Sequence, residues 1–348
     1  MKLKELSDLL GLSQTTVSRA LNGYPEVSEE TRRKVKLAAE THSYQPSSHA
    51  KRLATGRTHT IGHVVPLSSH EMINPHFSDF IAGAGEAYAR LGYDMLISVV
   101  TEADQERVYR NLASGRKVDG LIVHGPKAID PRLALLKSLD IPFVVHGRSD
   151  DAPDSYSWLD VSNRRSFVRA TQFLADLGHS RIALLNGLED MNFARRRRAG
   201  FLDGLASRGI APDPSIMFSD EMIEPNGYRR MQQLLAMPVR PDAILTASVL
   251  LAMGAARAIQ DAGLKPGRDI SIVTHDDQFS FLRDHNAVPM FTATRSSIRD
   301  AGRRCAEMII ELANNPDRAP IQELWEAELV LGSSTGPSLR LAKPAKAL

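Results

Sequence analysis

One stretch decides the fold of the amino-terminal region: Gly11-Leu12-Ser13-Gln14-Thr15-Thr16-Val17-Ser18-Arg19-Ala20-Leu21-Asn22-Gly23. Before it, leucines recur at helical spacing over residues 3–10, and Gly11 ends that pattern. Ser13 is well placed as the N-cap of a second helix that ends near Gly23. The sequence therefore predicts two short helices that meet at a tight turn.

The second helix has an apolar inner face and a polar outer face. At 100° per residue, Val17, Ala20 and Leu21 fall on the inner side. The outer side carries Gln14, Thr15, Ser18 and Arg19. A third helix is predicted after Ser28, and its basic side, which includes Lys36, is suited to phosphate contacts. An ordinary three-helix bundle with solvated charges explains the same periodicity.

Composition and charge limit the possible classes of protein. The chain has 348 residues, which suits a small module plus one large or two medium domains. Its net charge is +2, but residues 1–60 hold ten Lys and Arg against six acids, which leaves +4 there and −2 elsewhere. This bias favours a polyanionic partner, although solubility alone explains a bias of this size.

The same inventory argues against disulfides, export and membrane spans. Cys305 is the single cysteine, so an internal disulfide or a cysteine-rich metal cage is excluded. No apolar run approaches the roughly 18 residues of a spanning helix, and the amino terminus lacks the pattern of a secretory signal. We expect a cytoplasmic protein without membrane contact.

The quoted stretch, together with Val27-Ser28 and Tyr44-Gln45-Pro46, closely resembles the head of the LacI/GalR family of bacterial transcription regulators. In that family, exposed residues early in the second helix enter the major groove, which by position implies Gln14, Thr15 and Arg19 here. A Gln amide pairs well with adenine and an Arg fork with guanine. The resemblance thus implies a DNA-binding domain over residues 1–46, bound as a homodimer to palindromic operator DNA.

A short segment follows the predicted head. Residues 47–56 have the length of about two helical turns, and such a helix alone in water is largely unfolded. A plain interdomain linker is one interpretation of residues 47–59. The resemblance implies instead a hinge helix that orders on DNA and inserts Leu53 into the minor groove.

From Ile61 onward, short apolar runs alternate with longer helical patterns, which is typical of parallel βαβ units. The predicted fold class is α/β: an all-helical helix-turn-helix head followed by a two-lobed sensor with parallel sheets. The resemblance extends to about residue 338 and implies the fold of periplasmic sugar-binding proteins. We expect a sensor over 60–338, with lobe 1 at about 60–160 and 292–325, lobe 2 at about 161–291 and 326–338, and a tail over 339–348.

Ligands of parallel sheets bind beyond the carboxyl ends of the strands. By position in the family motif, Asp276 and Arg197 are the carboxylate and guanidinium that would hold vicinal hydroxyls of a small sugar-like effector. Phe77 is the candidate aromatic wall, and Arg148 and Ser248 are further polar candidates. Each has a plainer interpretation: Asp276 as a loop cap, and Arg197 as one more solvated member of the run over 195–198.

Enzyme functions fit the sequence poorly. Gly332-Ser333-Ser334-Thr335-Gly336 matches a nucleophile elbow, but no histidine follows Ser334 as such hydrolases require. Gly83-Ala84-Gly85 lies within a helical pattern and suggests helix packing rather than a dinucleotide loop. We therefore expect no catalytic residue, no cofactor and no metal site.

The expected function is a repressor of a carbohydrate-utilisation operon that a small sugar releases. Two alternatives remain: a purine- or other metabolite-responsive regulator of the same family, and a sugar-binding protein without a DNA role. The segment 142–148 resembles regulators of α-glucoside utilisation. The tail lacks the leucine-rich heptads of family tetramers, so a dimer is expected.

Overall fold

The computed structural model describes residues 1–21, 23–44, 56–66, 75–275 and 288–339. Two of the predicted site residues, Leu53 and Asp276, lie outside these ranges, as do most of the hinge and all of the tail after Leu339. The chain divides into two compact units, Met1–His59 and Thr60–Leu348.

The first unit contains the three predicted helices. They are α1 (Leu3–Leu10), α2 (Gln14–Leu21) and α3 (Glu29–Thr41). Gly11 ends α1 in the left-handed conformation at φ 65°, which glycine adopts without strain. The Ser13 hydroxyl accepts a hydrogen bond from the Thr16 N–H at 3.0 Å and so caps α2. A small apolar core joins the helices: Leu6, Val17, Ala20, Val27, Val35 and Ala39.

The second unit begins with a parallel alternation of strands and helices. Its elements to Val161 are β1 (Thr60–Pro66), α4 (Pro75–Leu91), β2 (Asp94–Val100), α5 (Gln105–Ser114), β3 (Gly120–His124), α6 (Pro131–Ser138), β4 (Phe143–His146) and β5 (Ser157–Val161). Branched aliphatic residues such as Ile61, Val64 and Val144 favour extended backbone and are fully buried between the layers.

A second alternation follows. Its elements are α7 (Asn163–Asp176), β6 (Ile182–Asn186), α8 (Asn192–Ala206), β7 (Met217–Ser219), α9 (Glu224–Leu235), β8 (Ala243–Thr246), α10 (Val249–Asp261) and β9 (Ser271–His275). The last described segment forms β10 (Thr292–Arg295), α11 (Ile298–Asn314), β11 (Gln322–Trp325) and β12 (Glu328–Val330).

The described strands form two six-stranded sheets, ordered β11-β5-β4-β3-β1-β2 and β12-β10-β9-β8-β6-β7. All neighbours are parallel except β10 and β12, which are antiparallel. The chain therefore passes between the two lobes three times within the described residues. The predicted class, a helical head followed by two parallel-sheet lobes, is confirmed.

The second of these passages, from lobe 2 back to lobe 1, lies later in the chain than expected. The family resemblance predicts that residues 292–295 lie in lobe 1, but β10 pairs with β9 and extends the sheet of lobe 2. The return to lobe 1 begins only with α11. The alternating apolar pattern shows where a strand lies, and the choice of its partner sheet depends on distant strands.

Close backbone contact joins the returning helix α11 to α4. A Cβ atom on Gly83 would lie 1.8 Å from the carbonyl oxygen of Arg299, and one on Gly302 would lie 2.1 Å from that of Phe80. Gly83 therefore serves helix packing, the role that the sequence favoured for it. Ser334, in the elbow-like motif, is buried and donates a 2.6 Å hydrogen bond to the Ile272 carbonyl, which makes it a structural clamp.

Candidate DNA-binding surface and ligand cleft

The polar face of α2 faces solvent. Val17 and Ala20 are fully buried and anchor the helix, while Gln14, Thr15 and Arg19 are exposed and Ser18 is half-buried. Beside this face lies a shallow groove lined by residues of α2 and by the start of α3, including Thr15, Arg19 and Ser28. The arrangement leaves an amide, a hydroxyl and a guanidinium available to a partner on one side of the unit.

The basic residues of α3 have different roles. Lys36 is exposed, as a phosphate contact requires. Arg32 instead packs inward: its guanidinium donates to the carbonyl oxygens of Tyr24 at 3.0 Å and Val27 at 3.3 Å, and it pairs with Glu29. Arg32 therefore holds the connection between α2 and α3 rather than presenting its charge to a partner.

A cleft of about 1240 Å³ lies at the carboxyl ends of the strands in the second unit, with walls from both lobes. Lobe 1 contributes the ends of β3, β4 and β5 and the first turn of α4. Lobe 2 contributes α8, the end of β9 and the loop after β8. The cleft is therefore where a ligand of parallel sheets is expected.

Arg197 is the central cation of the lobe 2 wall. Its Nε donates to the Asn163 Oδ1 and its Nη1 to the Ala247 carbonyl, each at 2.7 Å. The guanidinium lies 4.8 Å from the ring centre of Phe193 and 5.5 Å from that of Phe167. Only 7% of the residue is exposed, so Arg197 is a held cleft residue and not a solvated member of the arginine run.

Arg148 lies on the opposite wall and is already paired. Its Nε donates to the Asp160 Oδ2 at 2.9 Å, and its guanidinium lies over the Trp158 ring. Asp160 is the penultimate residue of β5 and is 5% exposed. Burial raises the pKa of the Asp160 carboxyl, although Arg196 and Arg148 oppose this rise. Asp160 lines the cleft and was not predicted from the sequence.

Several contacts join the lobes beside this pair. Arg196 of α8 donates to Asp160 of lobe 1 at 3.1 Å and to Asp150 at 2.7 Å. The Asn192 side-chain amide donates to the Arg148 carbonyl at 2.7 Å and to Asp150 at 3.0 Å. These hydrogen bonds hold the two walls together at one end of the cleft.

Three histidines lie at the lobe 1 floor of the cleft. The His63 Nδ1 is 3.1 Å from the His124 Nε2, and the His63 Nε2 is 2.9 Å from the Tyr88 hydroxyl. The rings of His124 and His146 lie 6.3 Å apart and both line the cleft. Burial lowers the pKa of His63 to about 3, and burial followed by the neighbouring histidines and Arg132 places the pKa of His124 well below its usual range.

The remaining predicted effector residues are placed differently from one another. Phe77 lines the cleft in the first turn of α4, with its ring edge-on to His124 at 5.4 Å. Ser248 is fully buried, does not line the cleft, and caps α10 through the Leu251 N–H at 3.4 Å. The Ser248 hydroxyl therefore serves as the N-cap of α10, and it does not reach the cleft in which its effector contact was predicted.

One cleft residue besides Asp160, Asn163, was not predicted, whereas His275 lies at one of the strand ends where the ligand was expected. Asn163 orients Arg197 from the start of α7, and His275 ends β9 with its Nδ1 2.7 Å from the Thr294 hydroxyl. The pattern Asp160-x-x-Asn163 at a strand-to-helix junction was the available signal. Among the described residues, no group of His, Cys, Asp and Glu is arranged to hold a metal ion. No helix in those residues is long and apolar enough to cross a membrane.

A helix-turn-helix unit with an exposed polar helix, together with a two-lobed unit with a ligand cleft, defines a ligand-responsive transcription regulator. Two family models match the chain: residues 2–47 match the bacterial regulatory proteins of the lacI family, and residues 171–335 match the periplasmic binding protein-like domain. The chain belongs to the LacI family of bacterial regulatory proteins, as the resemblance of its head implied.

Similar proteins cover nearly the whole chain. The HTH-type transcriptional regulator AglR of Rhizobium meliloti (strain 1021) is 44% identical over 338 residues, which are 97% of this chain and 95% of AglR. The regulator RafR of Escherichia coli is 32% identical over 340 residues, 96% of this chain and 98% of RafR. These relatives are transcription regulators, which confirms the prediction of a regulator rather than an enzyme.

Solved structures show the same architecture. The lac repressor dimer bound to operator and the anti-inducer ONPF has a TM-score of 0.82 at 26% identity, covering 97% of this chain and 99% of that one. The complex of the transcriptional regulator CelR with cellobiose has a TM-score of 0.72 at 26% identity, covering 96% and 99%.

Proposed function

We propose that this protein represses carbohydrate-utilisation genes and that a small sugar bound in the cleft releases it from DNA. One observation carries the proposal: a buried arginine, Arg197, is held in position on a cleft wall by Asn163 and a backbone carbonyl. Groups fixed in this way bind neutral hydroxyls without further ordering. The chain would act in the cytoplasm, where its DNA target lies.

The DNA-binding role falls to the head, residues 1–46, and to the hinge, residues 47–59. Gln14, Thr15 and Arg19 would contact base edges, with Ser18 beside them, because they share the solvent face of α2. Lys36 would contact phosphate. Leu53, which lies outside the described residues, would insert into the minor groove. A homodimer would place two such heads on a palindromic operator, and the similar lac repressor binds its operator as a dimer.

The effector role falls to the sensor. Arg197, Arg148 and Phe77 line the cleft and would contact the ligand, and Asp276 would add a carboxylate from outside the described residues. Ser248 is left out, since its hydroxyl caps α10. A saccharide effector is supported by the similar regulator CelR, which was solved in complex with cellobiose. An α-glucoside is favoured by the resemblance of residues 142–148.

The test measures operator affinity in the presence of candidate effectors. Operator is first selected from genomic fragments by binding to the full-length chain, and its affinity is then measured by fluorescence anisotropy with maltose, sucrose, cellobiose, guanine or hypoxanthine. We expect a sugar to weaken DNA binding of the wild type and to have no effect on Arg197→Ala. If a purine strengthens DNA binding and no sugar changes it, the proposal is wrong and the purine-responsive alternative is correct.

A further inference from the structure

We infer that Tyr88 and His63 act as positioning residues that fix His124 as a hydrogen-bond donor towards a ligand in the cleft. The three side chains form a chain of hydrogen bonds, here called the histidine relay, from the apolar core of lobe 1 to the cleft. Because the ligand in question is the effector, its contact with His124 rests on the proposed function. The direction of the relay is a property of the unliganded protein.

The inner end of the relay is fully buried. Tyr88, on α4, is 2% exposed, and its hydroxyl has one hydrogen-bond partner within the described residues, the His63 Nε2 at 2.9 Å. Burial, followed by the neighbouring Cys305, raises the pKa of Tyr88 well above its usual range, so the hydroxyl keeps its proton. A buried hydroxyl proton without an acceptor is costly, and the His63 Nε2 is the acceptor at hand. Tyr88 therefore donates to His63.

This hydrogen bond determines where His63 carries its proton. His63 is fully buried in β1, and burial lowers its pKa to about 3, so the ring is neutral and holds one N–H. Since the Nε2 accepts from Tyr88, the proton lies on the Nδ1. The Nδ1 is 3.1 Å from the His124 Nε2, and the two ring planes are tilted by only 22° with centres 5.3 Å apart. The N–H points along its ring plane at the acceptor, so His63 donates to His124.

The outer end of the relay lies at the cleft. His124 ends β3, lines the cleft and is half-buried. Burial, then His63, His146 and Arg132, hold its pKa well below the usual range, so this ring is neutral as well. With the Nε2 accepting from His63, the proton of His124 lies on the Nδ1. That nitrogen has no hydrogen-bond partner within the described residues and keeps contact with solvent. His124 thus presents an N–H donor to the cleft.

The opposite direction of the relay leaves a group unpaired. If the Tyr88 hydroxyl accepted from His63, its own proton would have no acceptor among the described residues. His124 would then present a bare nitrogen, which can bind an ammonium group. A donor at this place binds the lone pairs of a ligand oxygen and excludes an ammonium group, whose nitrogen has no lone pair. The guanidinium groups of Arg148 and Arg197 are also donors, so the three cleft groups favour the same kind of ligand atom.

The first test locates the protons without a ligand. The full-length chain is labelled with ¹⁵N in histidine alone, and the NMR shifts of the ring nitrogens distinguish a protonated nitrogen from a bare one. The variants His63→Gln and His124→Phe assign the signals. At neutral pH we expect both histidines to carry their proton on the Nδ1. A proton on the His124 Nε2, or a charged His124 ring, would overturn the relay and leave the proposed function intact.

Tyr88→Phe breaks the relay at its inner end by removing one oxygen. We expect the His124 signals to become those of a mixture of both tautomers, and maltose to bind about threefold to tenfold less tightly in calorimetry. Tyr156→Phe is the matched control. It removes another buried hydroxyl of lobe 1, which accepts from the Ser149 N–H at 2.9 Å and lies outside the cleft lining.

The control variant should lose stability but keep the proton of His124 on the Nδ1 and bind maltose within about a factor of two. If Tyr88→Phe leaves the His124 signals as they are in Tyr156→Phe, Tyr88 is a structural residue and the relay is wrong. If Tyr88→Phe does not fold, the proton positions in the wild type decide the direction of the relay by themselves.

His124→Phe tests the contact with the ligand. The variant keeps an aromatic ring beside Phe77 and Phe80 and loses the ring nitrogens. We expect its affinity for maltose to fall about tenfold, and the Nδ1 signal of wild-type His124 to shift on addition of maltose while the proton stays there. Equal affinity of His124→Phe and the wild type would overturn the contact and leave the proposed function intact. If no sugar binds the wild type, the proposed function fails and the His124 contact fails with it.

Discussion

The recognition surface of the head and the cleft of the sensor place their polar groups in opposite environments. On α2, Gln14, Thr15 and Arg19 are exposed and rest on a core of small apolar residues. In the cleft, Arg197 and Asp160 are buried and bound to other protein groups. Substituting the exposed side chains of α2 should therefore change binding without changing stability. Substituting the buried side chains of the cleft should change both.

The largest expected difference between the regions is in their response to acid. His63 has its pKa lowered to about 3 by burial, and the pKa of His124 is also far below its usual range. In the unfolded chain both histidines become protonated near their usual pKa of about 6.5. In the native sensor they stay neutral to a much lower pH. Each histidine should therefore remove about 1.4 kcal/mol of stability per pH unit below about pH 6.

Calorimetric unfolding at pH 7, 6 and 5 checks this expectation. The direction is a loss of stability as the pH falls, and His63→Gln should flatten it. An acid response of the same slope in His63→Gln and in the wild type would show that carboxylates, not this histidine, cause it.

The next largest effect is a combined loss of stability and effector affinity when Arg197 is substituted. Arg197→Ala strands the Asn163 amide oxygen and the Ala247 carbonyl, and we expect it to lower the free energy of unfolding by about 2–3 kcal/mol and effector affinity at least tenfold. Arg195→Ala, an exposed neighbour on α8, is the matched control and should change neither. Effector titration and thermal unfolding of both variants measure the two effects. If Arg197→Ala lost effector binding but kept the wild-type stability, binding and stability would be separate in the cleft as well, and the contrast with the head would be wrong.

On the head, binding and stability should separate. Arg19→Ala should reduce operator affinity by about 1–3 kcal/mol and relax the preference at one symmetric base pair, because a guanidinium fork reads guanine. Lys36→Ala should weaken all DNA sequences equally and flatten the salt dependence. Both variants should unfold at the wild-type temperature. Indistinguishable effects of the two substitutions on a panel of mismatched operators would contradict the assignment.

The smallest expected effect concerns Ser248. Because its hydroxyl caps α10, Ser248→Ala should cost about 1 kcal/mol of stability. Effector affinity should stay within a factor of two, since Ser248 does not line the cleft. A loss of effector affinity that is larger than the loss of stability would restore Ser248 to the binding site.

The same contrast explains how much could be predicted from the sequence. The face of α2 follows from local periodicity, because every residue that forms it lies within one helix. Arg197 came from the family motif, but its partners Asn163 and Ala247 are 34 and 50 residues away and no local pattern joins them. Asp160 and Arg196 pair across two lobes, so only the assembled sheets reveal them.

Ser248 and the strand at 292–295 show the limits of local inference. A serine after a strand can serve a ligand or the next helix, and the structure assigns it to the helix. An apolar alternating segment forms a strand in either sheet, and pairing with β9 decided which one. The alternation of strands and helices itself was local and was predicted correctly.

The late return of the chain to lobe 1 sets an order in time. Lobe 1 lacks its edge strand β11 until Trp325 has been made, whereas the head is complete by about residue 44. At roughly 5–20 residues per second, the ribosome takes about 15–55 s to cover that interval. Every nascent chain therefore carries a finished DNA-binding head, for most of its synthesis, before any cleft exists to receive a signal.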